Sequence, residues 1–173
     1  SMFNKALEMI EAQHLFDLTP EQVEVVVHPQ SIIHSMVGYA DGSILAQLGA
    51  PDMRTAIGYA LAYPERRPLS VERLDFAKLA RLDFEAPDET RFPALRLARR
   101  AMERGGLQGA VLNGAKEVAL EAFIEGRCGF LEMAEITEGV MDALDDLPAA
   151  TGIGDIYAAD GEARRRAAEL LNS

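Results

Sequence analysis

Three polar residues near the start of the sequence have a spacing that could serve one ligand. Asn4, Lys5 and Glu8 follow an i, i+1, i+4 pattern, which places all three on one side of a helix. A helix N-terminus offers free backbone N–H groups and a positive dipole end. The pattern therefore predicts a cradle for a phosphate or polyol, with the Glu8 carboxylate available to a divalent cation. The same residues also fit an N-capped surface helix that carries an exposed Glu/Lys pair.

Two other positions could line a site. His28 ends a short β-branched run, a location where side chains often line sites, although a lone histidine is more often a hydrogen-bonded structural residue. Met53 could offer a soft apolar surface to a flat ring. Its neighbours Asp52 and Arg54 also fit a simple cap and ion pair at a helix start. Neither a glycine-rich phosphate loop nor a zinc or nucleophile-elbow motif occurs in the sequence.

Two charged runs near the end of the chain have no spacing that is typical of a binding or catalytic site. Six acids and no base occur between Leu131 and Asp146, mostly three or four residues apart, which is typical of a solvated helix face. The run Arg164-Arg165-Arg166 is likewise interpreted as a surface feature. Both runs are therefore left out of the predicted site.

The composition excludes several classes of protein. With 17 Lys and Arg against 28 Asp and Glu, the 173-residue chain carries a formal charge of −11, which repels a nucleic-acid backbone. The single cysteine cannot form an internal disulfide and leaves no cysteine-based metal site, as in a reducing compartment. No apolar run approaches the roughly 18 residues that span a bilayer, and no signal-peptide pattern is present. These observations predict a cytoplasmic protein without nucleic-acid or membrane partners.

The first part of the chain predicts helix and strand in turn. Good helix formers extend from Asn4 to about Phe16, and Asn4 could cap that helix. The β-branched run Val23–Val27 predicts a strand. Two further β-like runs, 31–39 and 43–48, are joined through Asp41-Gly42, a dipeptide that supplies the positive φ of a tight hairpin turn.

The rest of the chain predicts helices on either side of a linker. A helix starts after Pro51 and runs to about Ala62, and four prolines between Pro64 and Pro93 indicate an extended segment. Four apolar stripes at helical spacing follow, and the last of them has Asp160 as its predicted N-cap. The predicted fold is α+β: a mixed sheet with a β-hairpin and flanking helices, an extended linker, and a small C-terminal four-helix bundle.

Several segments, in their order and with their gaps, resemble one family. The segments are Asn4-Lys5-Ala6-Leu7-Glu8, Val27-His28-Pro29-Gln30-Ser31-Ile32-Ile33-His34-Ser35, Ser43-Ile44-Leu45-Ala46-Gln47-Leu48-Gly49, Pro51-Asp52-Met53-Arg54, Leu74-Asp75-Phe76, Ala86-Pro87-Asp88 and Leu112-Asn113 through Ala122-Phe123. They are similar to 1-deoxy-D-xylulose 5-phosphate reductoisomerase over essentially the whole chain. Members of that family convert this substrate to 2-C-methyl-D-erythritol 4-phosphate in non-mevalonate isoprenoid synthesis, with NADPH and Mg²⁺ or Mn²⁺.

The resemblance implies a role for each candidate residue. Asn4 and Lys5 would bind substrate, Lys5 chiefly through its charge, and Glu8 would ligate the metal and approach the substrate oxygens. Lys5 and Glu8 are thus the expected catalytic residues. Met53 would pack against the nicotinamide, and His28 would support the site.

The resemblance also implies a division of the chain. Residues 3–63 would be the C-terminal portion of a catalytic and dimerisation domain, 64–90 a linker and 91–173 a helical domain. The NADPH-binding Rossmann domain and two further metal ligands would lie upstream, and Ser1-Met2 is interpreted as a scar left by cutting or cloning. We therefore expect a homodimeric fragment that is inactive alone and binds no cofactor tightly. Two alternatives are a stand-alone dimerising or interaction module that lost catalysis and a phosphate-ligand binding protein.

Overall fold

The computed structural model describes residues 2–172, so the interpretation of Ser1 lies outside the described residues. Seven helices and two strands occur in this part of the chain: α1 (Phe3–Phe16), β1 (Ile33–Gly38), β2 (Ile44–Leu48), α2 (Met53–Ala62), α3 (Phe76–Leu79), α4 (Ala94–Arg104), α5 (Gln108–Ile124), α6 (Glu132–Ala143) and α7 (Ile153–Leu170). None of the helices over 2–172 is both long enough and apolar enough to cross a membrane.

The chain forms two compact units. The helical unit contains the residues up to Glu24 and those from Asp88 onward, and the hairpin unit is Val25–Pro87. The helical unit therefore includes α1, which packs on α4 and α5. The predicted division, with boundaries at residues 63 and 90, groups elements that are adjacent in the sequence. The two units instead group elements that are in contact in space.

The four apolar stripes form α4 to α7, so the predicted α+β class with a C-terminal helical bundle is confirmed. Their core side chains are almost completely excluded from solvent: Leu97, Val111, Leu112, Met133, Thr137, Val140 and Met141. The one hydroxyl in this set, that of Thr137, donates a hydrogen bond to the Met133 carbonyl at 2.7 Å. Buried Gln108 donates to the Leu144 carbonyl at 2.7 Å, which satisfies a carbonyl group just beyond the end of α6.

Two predicted helix caps are wrong. Asn4 lies inside the first turn of α1, and the N-cap position is Met2. Asp160 lies in the middle of α7, which begins at Ile153, and its carboxylate binds Arg164 at 2.7 Å. The N-terminal carboxylate of α7 is instead Asp155, which accepts a hydrogen bond from the Thr151 N–H at 2.7 Å.

The acidic run on α6 is not simply a solvated face. Glu138 binds Arg96 of α4 at 2.5 Å, and Asp145 binds Arg100 at 3.1 Å and Arg104 at 2.7 Å. The hydrogen bonds from Arg96 lower the pKa of the Glu138 carboxyl. The arginine partners of this run lie on α4, about 40 residues earlier in the chain. The sequence of the run itself therefore gives no sign of them.

The hairpin unit contains the predicted turn. Strands β1 and β2 pair antiparallel, with Gly38 opposite Ile44, and Gly42 has a φ of 86° in the turn between them. The predicted strand Val23–Val27 is wrong, because only Val27 pairs, in a single antiparallel bridge to Glu85. The predicted linker is mostly irregular, as expected, and contains the one-turn helix α3.

A close approach of α5 and α7 supplies a stability prediction. A Cβ atom added to Gly114 would lie 2.9 Å from the Asp160 carbonyl oxygen, whereas one added to Gly161 would meet nothing within 4 Å. Because a backbone atom cannot move aside alone, we expect Gly114→Ala to destabilise the bundle by about 1–3 kcal/mol. Gly161→Ala should stabilise it by about 0.5–1 kcal/mol, because alanine is the better helix former. Urea unfolding of both variants checks this; a stabilising Gly114→Ala would contradict the helix contact.

Candidate functional site

The face that α1 buries determines which side chains it exposes. The buried residues follow a three-residue spacing and face the rest of the helical unit: Phe3, Ala6 and Met9. Asn4, Lys5 and Glu8 fall between them and are at least partly exposed. The apolar pattern of the helix therefore fixes the three candidate residues on one accessible side of its first turns.

The N-terminus of α1 has no side-chain cap in the described part of the chain. Its N-cap residue, Met2, has a φ of 56° and makes no side-chain capping hydrogen bond. The first N–H groups of a helix have no partner within the helix. The N-terminal end of α1 therefore retains the partial positive charge that favours binding of an anion.

Lys5 and Glu8 form an ion pair in the first turns of α1. The Lys5 ammonium donates to Glu8 Oε2 at 2.5 Å, and the two side chains are about half exposed, at 47% and 53%. An exposed pair of this kind contributes at most about 1 kcal/mol to stability. A phosphate dianion can therefore draw Lys5 away from Glu8 at small cost, and the Glu8 carboxylate then becomes available to a cation.

These residues do not by themselves form a metal site. Within residues 2–172 no group of three or more His, Cys, Asp or Glu side chains converges in a way that could hold a metal ion. Mg²⁺ prefers near-octahedral oxygen coordination, and the carboxylates of Glu8 and Glu11 on the exposed surface of α1 cannot surround an ion. Glu8 can thus be one ligand of a divalent cation and no more.

His28 lies in the hairpin unit and is held by contacts with Asp83 and Phe84. Its Nδ1 lies 2.7 Å from the Asp83 carbonyl oxygen, and its ring stacks on Phe84 with centroids 4.9 Å apart. Because a carbonyl oxygen only accepts, Nδ1 carries a proton and donates it. The other ring nitrogen, Nε2, is buried and has no hydrogen-bond partner in the described chain.

The segment around His28 is fixed by the same neighbours. Gln30 donates to Asp83 Oδ2 at 2.5 Å and accepts from the Asp83 N–H at 3.2 Å. The sequence reasoning missed Asp83 and Phe84 as partners of this segment. The available signal was the apolar pulse Leu82-Asp83-Phe84 inside a stretch that otherwise has the pattern of a linker.

Met53 begins α2 and is 70% exposed. The Asp52 carboxylate caps this helix by accepting from the Arg54 N–H at 2.9 Å and also binds the Arg54 guanidinium. These hydrogen bonds lower the pKa of Asp52, so the carboxylate stays ionised. The capping interpretation of Asp52 and Arg54 is confirmed, and the cap leaves the Met53 side chain free to meet a flat apolar ligand.

The sequence matches a known family and close relatives. The model of the DXP reductoisomerase C-terminal domain matches residues 48–166. The chain is 80% identical to the 1-deoxy-D-xylulose 5-phosphate reductoisomerase of Rhizobium johnstonii over 171 residues, which are 99% of the chain and 43% of the relative. The same enzyme of Rhizobium meliloti is 76% identical, over 99% of the chain and 44% of the relative. The chain thus spans less than half the length of these relatives.

Solved structures give the same result. The chain superposes with a TM-score of 0.91 on the reductoisomerase of Zymomonas mobilis in complex with NADPH, at 53% identity, over 99% of this chain and 45% of that one. It superposes with a TM-score of 0.92 on a DOX-P reductoisomerase in complex with NADPH, fosmidomycin and magnesium, at 43% identity, over 99% and 44% of the two chains.

Proposed function

This chain belongs to the DXP reductoisomerase C-terminal domain family, and from that premise we propose that it is the C-terminal part of a working reductoisomerase. The whole protein converts 1-deoxy-D-xylulose 5-phosphate to 2-C-methyl-D-erythritol 4-phosphate, with NADPH as the hydride donor and Mg²⁺ or Mn²⁺ as the metal. The observation that carries this proposal is the exposed ion pair of Lys5 and Glu8 near the N-terminus of α1, which has no side-chain cap in the described residues. A phosphorylated polyol and a cation are the ligands that such a face suits.

The residues of α1 have separate roles in this proposal. The Lys5 ammonium attracts the substrate phosphate or a developing negative charge on its oxygens, and the Asn4 amide binds a substrate hydroxyl. The Glu8 carboxylate supplies one ligand to the divalent cation and lies next to the same oxygens. The remaining ligands are proposed to come from parts of the whole protein outside this chain, because no group of three or more His, Cys, Asp or Glu side chains within residues 2–172 could hold a metal ion.

Two residues of the hairpin unit have proposed roles of their own. Met53, exposed at the start of α2, packs against the nicotinamide ring, for which a polarisable thioether is well suited. His28 acts as a positioning residue: its ring and the Gln30 amide tie the segment around His28 to Asp83 and Phe84.

A homodimer formed through the hairpin is part of the proposal. No side chain described in Val25–Pro87 is fully buried, and the hairpin exposes large apolar side chains: Met36, Val37, Tyr39, Ile44 and Leu45. A two-stranded hairpin is at best marginally stable alone, and a cluster of exposed apolar groups indicates an interaction surface. This observation equally supports the alternative of a stand-alone interaction module.

Mass measured in solution tests the dimer. We expect sedimentation equilibrium of the full-length protein to give twice the chain mass at micromolar concentration. Val37→Lys, which places a charge on a side chain that is 55% exposed in this structure, should shift the mass toward that of one chain. Lys78→Glu, a charge change on α3, serves as the control; a monomeric wild-type protein would contradict the dimer.

The proposed reaction is tested by the loss of NADPH absorbance in the full-length protein. We expect oxidation of NADPH that requires both 1-deoxy-D-xylulose 5-phosphate and Mg²⁺ or Mn²⁺. A protein that binds the substrate but never oxidises NADPH would instead support the phosphate-ligand binding protein. The isolated chain is proposed to be inactive, and a cytoplasmic location stays a prediction.

A further inference from the structure

A small cavity in the hairpin unit is lined by cationic side chains. Its volume is about 240 Å³, and it is formed by α2 and the segment that follows: Thr55, Tyr59, Arg66, Arg67, Pro68, Leu69, Val71 and Arg73. Three of these eight residues carry a guanidinium group and none carries a carboxylate. None of them is among the candidate residues of the proposed active site.

The arginines of this cavity differ from those of the helical unit. There, Arg96, Arg100 and Arg164 each bind at least one carboxylate of another helix. In the cavity, Arg66 lies over the ring of Tyr59 at 4.0 Å, and within residues 2–172 neither Arg66 nor Arg73 forms an ion pair. Two unneutralised guanidinium groups at one cavity are unexpected in a chain with 28 acids and 17 bases.

The third arginine is held only loosely. Arg67 binds Glu65 at 3.1 Å, but both side chains are about two-thirds exposed, at 70% and 67%. Such a surface pair contributes little, so Arg67 can exchange Glu65 for another anion. The hydroxyl groups of Thr55 and Tyr59, one helical turn apart on α2, add neutral donors to the same cavity.

The segment that follows α2 folds back against that helix. A Cβ atom on Gly58 would lie 2.8 Å from Leu69 Cδ1, so the Leu69 side chain packs directly on α2 at this position. This return places Arg66, Arg67 and Arg73 around one space. The cavity is thus an open depression between α2 and this segment, and its three arginine side chains are exposed.

We propose that this cavity binds the phosphate group of a small phosphorylated or diphosphorylated molecule. Guanidinium groups match the geometry of phosphate oxygens through paired hydrogen bonds. A volume below the roughly 300–1,000 Å³ of ordinary ligand pockets suits an anionic headgroup and not a large ligand. Binding at this cavity does not depend on the proposed reaction.

Calorimetric titration of the full-length protein with inorganic pyrophosphate, without divalent cations, tests the proposal, and inorganic phosphate is the second probe. We expect Arg66→Gln/Arg73→Gln to weaken pyrophosphate binding by at least about tenfold. Lys78→Gln, which removes one cation from the same unit outside the cavity, should change binding by less than about twofold. Lys5→Gln removes the cation that is proposed to bind phosphate in the active site, so pyrophosphate binding that remains in this variant and is lost in the arginine variant belongs to the cavity.

Each result of these titrations either supports or overturns the proposed phosphate site. Tighter binding of pyrophosphate than of phosphate, lost only in the arginine variant, supports a diphosphate-bearing ligand, and equal binding supports a single phosphate group. Absence of binding by the wild-type protein at millimolar pyrophosphate overturns the proposal. Equal losses in the arginine and Lys78 variants also overturn it, because they show a general charge effect. Unchanged thermal unfolding of every variant verifies that the fold is intact.

Discussion

Glu8→Gln is expected to lower the kcat/KM of the full-length protein for 1-deoxy-D-xylulose 5-phosphate by about 100-fold or more. The substitution keeps the size of the side chain and the helix propensity, but it removes the negative charge. Glu8 is proposed as a direct ligand of the metal, and even residues that merely orient metal ligands contribute about 10–100-fold. The measurement is the initial rate of NADPH oxidation at several concentrations of Mg²⁺.

Glu11→Gln is the matched control. Glu11 is exposed and lies on α1, three residues beyond Glu8, so its substitution makes the same change of charge on the same helix. We expect its kcat/KM to stay within about threefold of the wild-type value. If Glu8→Gln is as active as Glu11→Gln, then Glu8 is only the partner of Lys5 in a surface ion pair, and the proposed site is wrong.

Leu112→Ala is expected to destabilise the helical bundle by about 2–5 kcal/mol. The Leu112 side chain on α5 is completely excluded from solvent. Truncation removes its apolar contacts and leaves a cavity that the neighbouring helices cannot fill fully. Since single domains are stable by only about 5–15 kcal/mol, this one change removes a large part of the total.

Leu120→Ala is the comparison on the same helix. Leu120 is 37% exposed, so its truncation deletes the same atoms with less loss of burial. We expect less than half of the destabilisation of Leu112→Ala, measured by urea unfolding followed by far-UV circular dichroism. Equal losses in the two variants would show that Leu112 does not lie in the core.

The sequence predicted those elements that local pattern controls. The helical bundle follows from apolar residues at helical spacing, which need one another to bury their faces. The hairpin follows from Asp41-Gly42, because Gly42 adopts a φ of 86° that other residues avoid. The exposed face of α1 was predicted from the spacing of Asn4, Lys5 and Glu8, and the buried Phe3, Ala6 and Met9 explain it.

Two of the errors, apart from the misplaced helix caps, come from contacts between distant residues. Val23–Val27 has strand propensity, but only Val27 finds a partner, at Glu85. The acidic run of α6 looks solvated until α4 brings Arg96 and Arg100 against it. In each case the outcome depends on a neighbour dozens of residues away, and local composition carries no information about that neighbour.

The same limit applies to the candidate site. The sequence identified His28, but its partners Asp83 and Phe84 lie more than 50 residues along the chain in a stretch with no helical period. The cavity formed by Arg66, Arg67 and Arg73 depends on the return of the segment after α2. Local sequence does not reveal a cluster of side chains that only a reversal of the chain direction brings together.

This chain is proposed to contribute the Lys5 and Glu8 face to a reductoisomerase and to be inactive by itself. The direct test compares NADPH oxidation by the full-length protein and by the 173-residue chain, each with 1-deoxy-D-xylulose 5-phosphate and Mg²⁺. We predict turnover by the full-length protein and none by the chain, because one carboxylate cannot complete the metal site. Turnover by the chain alone, or an inactive full-length protein, would contradict this claim.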